Sequence, residues 1–457
     1  MDRALTPFVA RRIFAVLAAI SFVVIMWLGL GMTFFADEWA FIEERSLGDP
    51  ATWWAPHNEH WTTLPVLAYR VLIETIGIGS YVPYLAVAVG LHVVVCALVY
   101  RLLERSSGPL FALIGSSIIL VFGSGFEGLF WAFQMDYNAS MAFGLAALVV
   151  TDGRASWRRA GLVAGLLLAS LACSGIGIIM SAAIGAEWLM VGRWRRYVPM
   201  LFVPAGAFLA WFLLAGRSGL DTFGVPMTIE AARDAPRSVM RGLSNGFGAI
   251  AGVPALGFFV LVGVLAAGTI VAGRGKLAPR AIAIVLALVL QYALTGFARA
   301  QLYQGIVDYA DYTRYTYVSG ILALIVVGLV VGVVTVPEAG RRRLATIAIL
   351  GVWAVVALET NIAFLLAGRG LFLERADMTR ALVTVALAPD RPVGVDLDRT
   401  LVLVPSPAAL AAIAAAYGDP RTDRLVPWAV RPIPAAYLAE AQRRLVEGAP
   451  IPGAIQP

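Results

Sequence analysis

Residues 13–39 read IFAVLAAISFVVIMWLGLGMTFFADEW. Up to Thr33 this stretch holds no charged side chain, and about 17–25 such residues suffice to cross a bilayer. Asp37 and Glu38 then follow almost at once. A helix built for lipid is met at its end by carboxylates, and before Pro65 the chain adds His57, Glu59, His60 and several tryptophans. The fold class and the search for a site both start from this junction.

The rest of the chain agrees with the apolar half of that reading. Its 457 residues are 60% hydrophobic and 14% charged, against about 25% charged in soluble domains. The mean hydropathy is +0.81. The net charge of +6 comes from short basic clusters between apolar runs, a topogenic pattern rather than a nucleic-acid-binding stripe. Cys96 and Cys173 both fall in apolar segments, so there is no disulfide framework, CxxC pair or zinc spacing. Lys276 is the only lysine beside abundant Arg, Ala and Gly, the coding bias of a GC-rich bacterial genome.

Apolar runs fall near 13–33, 82–103, 108–123, 131–150, 160–173, 176–192, 197–215, 250–272, 281–298, 316–336 and 344–367. This predicts an all-α polytopic membrane protein of about eleven transmembrane helices. The pair around Cys173-Ser174-Gly175 is alternatively one long helix broken at its glycines. Arg11 and Arg12, Arg101 and Arg105, Arg154 to Arg159, Arg193 to Arg196, Arg274 to Arg280 and Arg341 to Arg343 occupy every second connection. The positive-inside rule then puts the amino terminus and these connections in the cytoplasm.

The other connections hold most of the versatile side chains. They are the loop after Phe34, GSGFEGLFWAFQMDYNAS (123–140), GRSGLDTFGVPMTIEAARDAPRSVMRGLSNG (216–246) and ARAQLYQGIVDYADYTRYTYV (298–318). In the first of these, Glu38 to Glu44 and LPVLAYRVLIETIG (64–77) read as interfacial helices, with tryptophans at headgroup depth. Residues 1–367 form the membrane domain. Residues 368–457 are expected to form a small extracytoplasmic α/β appendage, because VTVALAPDRPVGVDLDRTLVLVP alternates like short strands and PAALAAIAAAYG reads as a helix.

Each polar residue has two readings. Asp37 or Glu38 serves chemistry or caps the short helix that follows. His57-Asn58-Glu59-His60 offers donors for a divalent metal, but lacks the i, i+4 spacing of a zinc helix. No metal or other cofactor is therefore assigned, and hydrogen bonding within the loop or to a substrate is expected there. Glu127, Gln134 and Asp136 line a site or cap the fourth span. Arg314 meets a substrate or pairs with Asp308 or Asp311. Glu359 is an intramembrane carboxylate and a functional candidate by default, unless it is solvated near the outer surface. His92 reads as a packed histidine.

An acidic pair just past the first membrane helix, then interfacial helices, then a many-spanning bundle: this layout resembles the GT-C glycosyltransferases. That superfamily includes protein O-mannosyltransferases, aminoarabinose transferases and bacterial cell-envelope sugar transferases. The resemblance covers the layout of roughly residues 1–367 and rests on FFADEW, FWAFQMDYN and ARAQLYQGIVDYADYTRY. The last is similar to arginine-containing "RY" segments late in several bacterial members. Asp-Glu-Trp departs from the Asp-x-Asp of some branches, which leaves metal dependence open.

The resemblance implies an inverting glycosyltransferase. Its donor is a sugar on a polyprenyl phosphate and its acceptor a glycan, lipid or protein of the cell envelope. On that reading the catalytic carboxylates are Asp37 and Glu38, with Asp37 as the base at headgroup depth that activates the acceptor hydroxyl. Arg314 and Arg299 hold the donor phosphate, because guanidinium pairs bidentately with phosphate and keeps its charge. His57, Glu59, His60, Gln134, Asp136, Gln301, Gln304 and Tyr315 line the substrate. The partners are donor, acceptor and membrane lipids, without nucleic acid. The setting is the cytoplasmic membrane, with active site and tail on its outer side. Three readings stay open beside it: a lipid-linked glycan polymerase or ligase, a transporter or flippase of a lipid-linked or small polar substrate, and a membrane scaffold. A transporter would place its ionisable residues near the midplane, often on repeated, broken helices.

Overall fold

Helix α1 (Pro7–Leu28) starts where Thr6 Oγ1 accepts the Val9 N–H at 3.3 Å, and Pro7 takes the position where no N–H is needed. Its buried residues Ala10, Phe14, Ala18, Ser21, Ile25 and Leu28 recur every three or four positions, the spacing of one helical face. Phe8, Val16, Ile20, Val23 and Trp27 lie exposed on the other faces, as a helix against lipid requires.

The computed structural model describes residues 6–219, 229–299, 309–333, 341–390, 394–398 and 403–447. After α1 come α2 (Glu38–Glu43), α3 (Thr63–Ile76), α4 (Val82–Ser107), α5 (Pro109–Leu120), α6 (Met135–Thr151), α7 (Trp157–Leu171), α8 (Ile176–Met190), α9 (Phe202–Trp211) and α10 (Ile229–Ala251). They are followed by α11 (Gly257–Gly273), α12 (Pro279–Arg299), α13 (Thr313–Val331), α14 (Arg341–Ala386), α15 (Pro407–Tyr417) and α16 (Ala435–Glu447). Among the described residues there is no strand, and His57 and His60 form an isolated bridge.

Among the described residues, seven helices are long and apolar enough to cross a membrane: Pro7–Leu28, Val82–Ser107, Val198–Gly219, Pro254–Gly273, Pro279–Gly296, Thr313–Val331 and Leu344–Ala386. The other four expected runs are also helical but shorter. They become α5 with 12 residues, α6 with 17, and α7 and α8 with 15 each. At 1.5 Å per residue these reach about 18–26 Å, less than the roughly 30 Å hydrocarbon core. The chain breaks at 172–175, so α7 and α8 are two helices and not one. The bundle centres on α13, with 83% of its apolar window buried, whereas the span containing α9 has 11% buried and faces outward.

The end of the bundle away from the first loop is tied by ions. Arg280 donates to Asp152 Oδ1 at 2.6 Å, to Glu187 Oε1 at 2.9 Å and to Thr151 Oγ1 at 2.6 Å, joining α6, α8 and α12. Arg11 and Arg101 converge on Glu104, joining α1 to α4.

Helix α14 continues into the expected tail. It runs unbroken for 46 residues, about 69 Å at 1.5 Å per residue, and passes through the expected boundary at 367/368. Val383-Thr384-Val385-Ala386 ends this helix instead of opening a strand. Val383, Val385 and Ala386 are buried where α14 carries the tail helices α15 and α16, and that packing overrides the strand propensity of the valines. The described part of the tail is helical, in α15 and α16. It docks on the first loop: Ile78 N–H donates to Tyr417 O at 2.9 Å and Arg424 N–H to Gly79 O at 2.8 Å.

Replacing Arg280 leaves the buried Glu187 carboxylate without its cation, while Asp152 keeps Arg105. Arg280→Ala should destabilise the bundle by about 3–5 kcal/mol, read as a fall in melting temperature in detergent. Asp152→Asn should be milder, since Glu187 still pairs with Arg280. Equal melting of Arg280→Ala and the parent would show that the network contributes nothing.

Candidate functional site

The acidic junction is shaped by one backbone feature. Ala36 adopts a left-handed φ of 50°, a conformation costing roughly 1–2 kcal/mol for a residue with a Cβ. Its N–H donates to Leu403 O at 3.1 Å and its carbonyl accepts the Trp39 N–H at 3.0 Å. This turn sends Asp37 and Glu38 to different environments.

Glu38 points inward and is fully buried. Its Oε2 accepts the Phe35 N–H at 2.9 Å, and its Oε1 meets the Tyr69 hydroxyl at 2.6 Å and the Tyr81 hydroxyl at 3.1 Å. Tyr81 in turn accepts the Ala132 N–H at 2.8 Å. Burial pushes the Glu38 carboxyl up to about 8 against the opposing effect of these donors. Burial also raises Tyr69 and Tyr81, which stay protonated. Glu38 is thus a knot holding α2, α3 and the start of α4 together, which leaves it out of reach of a substrate hydroxyl.

Asp37 stays at the rim, its side chain 19% exposed. It occupies the position before α2 but makes no capping hydrogen bond, so the capping reading fails. Its Oδ1 lies 3.8 Å from His57 Nε2, an electrostatic pair longer than a hydrogen bond. The His57 ring stands between Phe41 and Phe133, each centroid 5.2 Å away. A tight turn fixes it: His57 and His60 exchange backbone hydrogen bonds at 3.1 and 2.9 Å, and Asn58 supplies the left-handed residue. Glu59 and His60 lie 3.5 Å from one another, with the His60 ring against Gly175.

The facing wall comes from the segment 123–136 and the start of α13. Gln134 and Asp136 are each 1% exposed. Gln134 precedes α6 without capping it, and its Oε1 has no partner among the described residues. Asp136 accepts the Tyr137 N–H at 2.6 Å and lies within electrostatic reach of both Asp37 and Arg314. Arg314 is buried between the rings of Tyr312 and Tyr315, 4.8 and 5.4 Å from their centroids. Glu127 accepts the Arg314 N–H at 3.0 Å and so caps α13 rather than the fourth span. Arg241 chelates Asp311, joined by Asn245, so Asp311 is not the partner of Arg314.

Asp37, His57, Asp136 and Arg314 therefore gather, with Tyr315 framing the arginine. Gln301, Gln304 and Asp308 lie outside the described residues. So does the side chain of Arg299, whose backbone closes α12. Glu359 sits on an exposed face of α14, away from the other candidates. His92 is packed, its Nδ1 2.9 Å from the Tyr317 hydroxyl. For a metal, Asp37 and His57 offer two donors; among the described residues no three His, Cys, Asp or Glu side chains converge.

Two features escaped the sequence reading. One is Arg375 on α14, whose guanidinium lies 5.5 Å from the Phe35 ring and 4.9 Å from that of Phe372. Its signal was present in GRGLFLERADMTR, charges spaced within an apolar helix, but a domain boundary at 367 consigned it to the tail. The other is an apolar cleft of about 690 Å³ between α7, α9 and the first loop, lined by Trp54, Trp61, Leu64, Leu168, Trp211 and Leu214. Trp61 stacks on Trp211 at 5.4 Å, and Trp211 Nε1 donates to Trp54 O at 2.8 Å. The cleft opens outward past Leu214, and its tryptophans flank the His57–His60 turn.

Comparison with protein-family models, curated proteins and solved structures finds no match to this chain.

The state of Glu38 gives a pH test. A carboxyl raised to about 8 keeps its proton in the folded protein while the unfolded chain has lost it. Stability should fall by up to ~1.4 kcal/mol per pH unit between the ordinary carboxyl range and about 8. Glu38→Gln imitates the protonated acid, its amide oxygen accepting the Phe35 N–H. Melting in detergent from pH 5 to 9 should show the parent losing stability relative to the variant as pH rises. Parallel curves would mean that Glu38 is buried as a carboxylate.

Proposed function

We propose that this chain is a membrane glycosyltransferase of GT-C type, which moves a sugar from a polyprenyl-phosphate donor to a cell-envelope acceptor. The observation that carries the reading is the separation of the two acidic neighbours. Glu38 is consumed in structure, whereas Asp37 stands at the rim without a capping role, beside His57 and within reach of the charge field around Arg314. The cleft of Trp54, Trp61 and Trp211 supports a lipid-borne substrate, since it opens to the apolar flank beside the same turn. Eleven crossings, four of them by the short helices α5 to α8, complete the proposed topology, with this face outside the cytoplasm.

The chemistry follows from these groups. Asp37 accepts the proton of the acceptor hydroxyl as its oxygen attacks the anomeric carbon. The bond from that carbon to the phosphate oxygen breaks, and its electron pair stays on the departing polyprenyl phosphate. Arg314 stabilises that growing charge, and does so most strongly in the transition state. Attack on the face opposite the leaving phosphate inverts the anomeric configuration.

Asp37→Asn should lower single-turnover transfer from a synthetic polyprenyl-phosphate sugar by about 10²–10⁴-fold, with donor binding retained. Glu38→Gln should act chiefly on stability. Unaltered turnover in Asp37→Asn would remove its role as base, and a parent that moves the lipid between leaflets without transfer would be a flippase.

Orientation has its own measurement. Ser46 and Ser218 are exposed on the face of the first loop, and both native cysteines are buried. Cysteines placed at Ser46 and Ser218 should react with an impermeant thiol reagent from the outer side only. Reaction solely from the cytoplasm would invert the topology.

A further inference from the structure

The tail leaves its largest apolar side chains bare where the first span ends. Trp428 is 73% exposed, more than any other tryptophan among the described residues, and Leu425 is 59% exposed. The same tail buries Leu410, Ile413 and Leu445, so it has a core that these two do not join. Nor do they hang on a slack segment. Asp423 is buried, and its Oδ1 accepts the Leu425 and Val426 N–H groups at 3.0 and 3.1 Å. Pro427 then opens a 3₁₀ turn that runs to Ala429.

Three contacts set the depth of this turn. Arg380 donates to Gly31 O and, at 3.4 Å, to Arg431 O. Arg431 also pairs with Asp377 on α14. Ala429 O lies 3.1 Å from where a Cβ on Gly31 would stand. Gly31 comes four residues after Trp27, the last strongly exposed apolar residue of α1 at 62%. Four helical residues rise about 6 Å. The turn therefore sits about one helical turn beyond the lipid-facing part of the span. That is headgroup depth, where tryptophan is enriched because its ring is apolar and its N–H polar.

Size and charge decide between a lipid surface and a protein partner. Leu425, Pro427 and Trp428 are three exposed residues, against about 20–30 a side in a standard protein interface. A bilayer needs no such area, and the patch is continuous with the lipid-facing end of α1. Arg424 is exposed beside it. Asp419, the carboxylate within its electrostatic reach, is already chelated by Arg421, which leaves the Arg424 charge for a lipid phosphate.

We propose that the turn at 425–428 anchors the tail to the bilayer. Trp428 and Leu425 enter the headgroup layer of the leaflet from which α1 emerges, and Arg424 meets lipid phosphate there. The anchor does not depend on the glycosyl-transfer reading and holds for either orientation of the chain. The tail is then gripped twice, by the first loop at Ile78 and Gly79 and by the membrane at this turn.

The test uses the full-length protein in vesicles of phosphatidylethanolamine and phosphatidylglycerol. Leu425→Cys carries a nitroxide, and both native cysteines are buried. Collisions with oxygen, which concentrates in lipid, are compared with collisions with a water-soluble nickel chelate. Trp27→Cys gives the lipid reference and the free nitroxide in buffer gives the water reference. The oxygen-to-nickel ratio at 425 should lie well above the water value and approach that at 27. A ratio equal to that of the free nitroxide would put the turn in water and overturn the anchor. Weak collisions with both reagents would mean that protein covers the turn, which overturns it equally; if nickel access then returns on diluting the protein in lipid, the cover is a second copy. Should Leu425→Cys fail to fold, Trp428→Cys is read by the same criteria.

Discussion

The buried carboxyl of Glu38 is the constraint from which the first loop and the bundle end beneath it are built. Three donors from three places meet it: the Phe35 N–H beyond α1, the Tyr69 hydroxyl on α3 and the Tyr81 hydroxyl before α4. Through Tyr81 the same knot reaches Ala132 in the segment opposite. A polar group so placed destabilises the fold if any partner is lost, because its desolvation is then uncompensated. The knot therefore demands one arrangement of the loop. That arrangement leaves Asp37 facing the other way, since side chains one residue apart on a helix diverge by about 100°.

The membrane character was legible because it rests on long local runs, and α1, α4 and α13 fall close to where hydropathy put them. The short helices α5 to α8 had the same composition, but what decides whether they cross is length relative to lipid and packing between longer neighbours. The tail was harder. Val383, Val385 and nearby apolar residues alternate like a strand, yet they complete a helix begun more than forty residues earlier. No local signal carries that continuity.

At the site, the sequence supplied Asp37, His57, Asp136 and Arg314, all from connections crowded with polar residues. It favoured Asp37 over Glu38 as the base, but what parts the two side chains, the left-handed turn at Ala36 and its bond to Leu403, distant in sequence, had no local signal. Glu59 and His60 were grouped with His57 by adjacency, whereas the tight turn pairs them with each other. Arg375 was passed over because the boundary expected at 367 put it in the tail, and its contact with Phe35 spans most of the chain.

The continuity of α14 carries a further consequence. The helix that passes through the bundle is the same rigid rod that presents Phe372 and Arg375 to Phe35 at the start of the first loop. Adding or removing one residue anywhere between its start and Arg375 turns everything beyond by about 100° and shifts it by 1.5 Å. A surface loop absorbs such a change through its own slack; this rod has none. Among related chains, insertions and deletions should therefore be tolerated in the connections around α14 and purged from the helix itself, or occur there only in sets that restore whole turns.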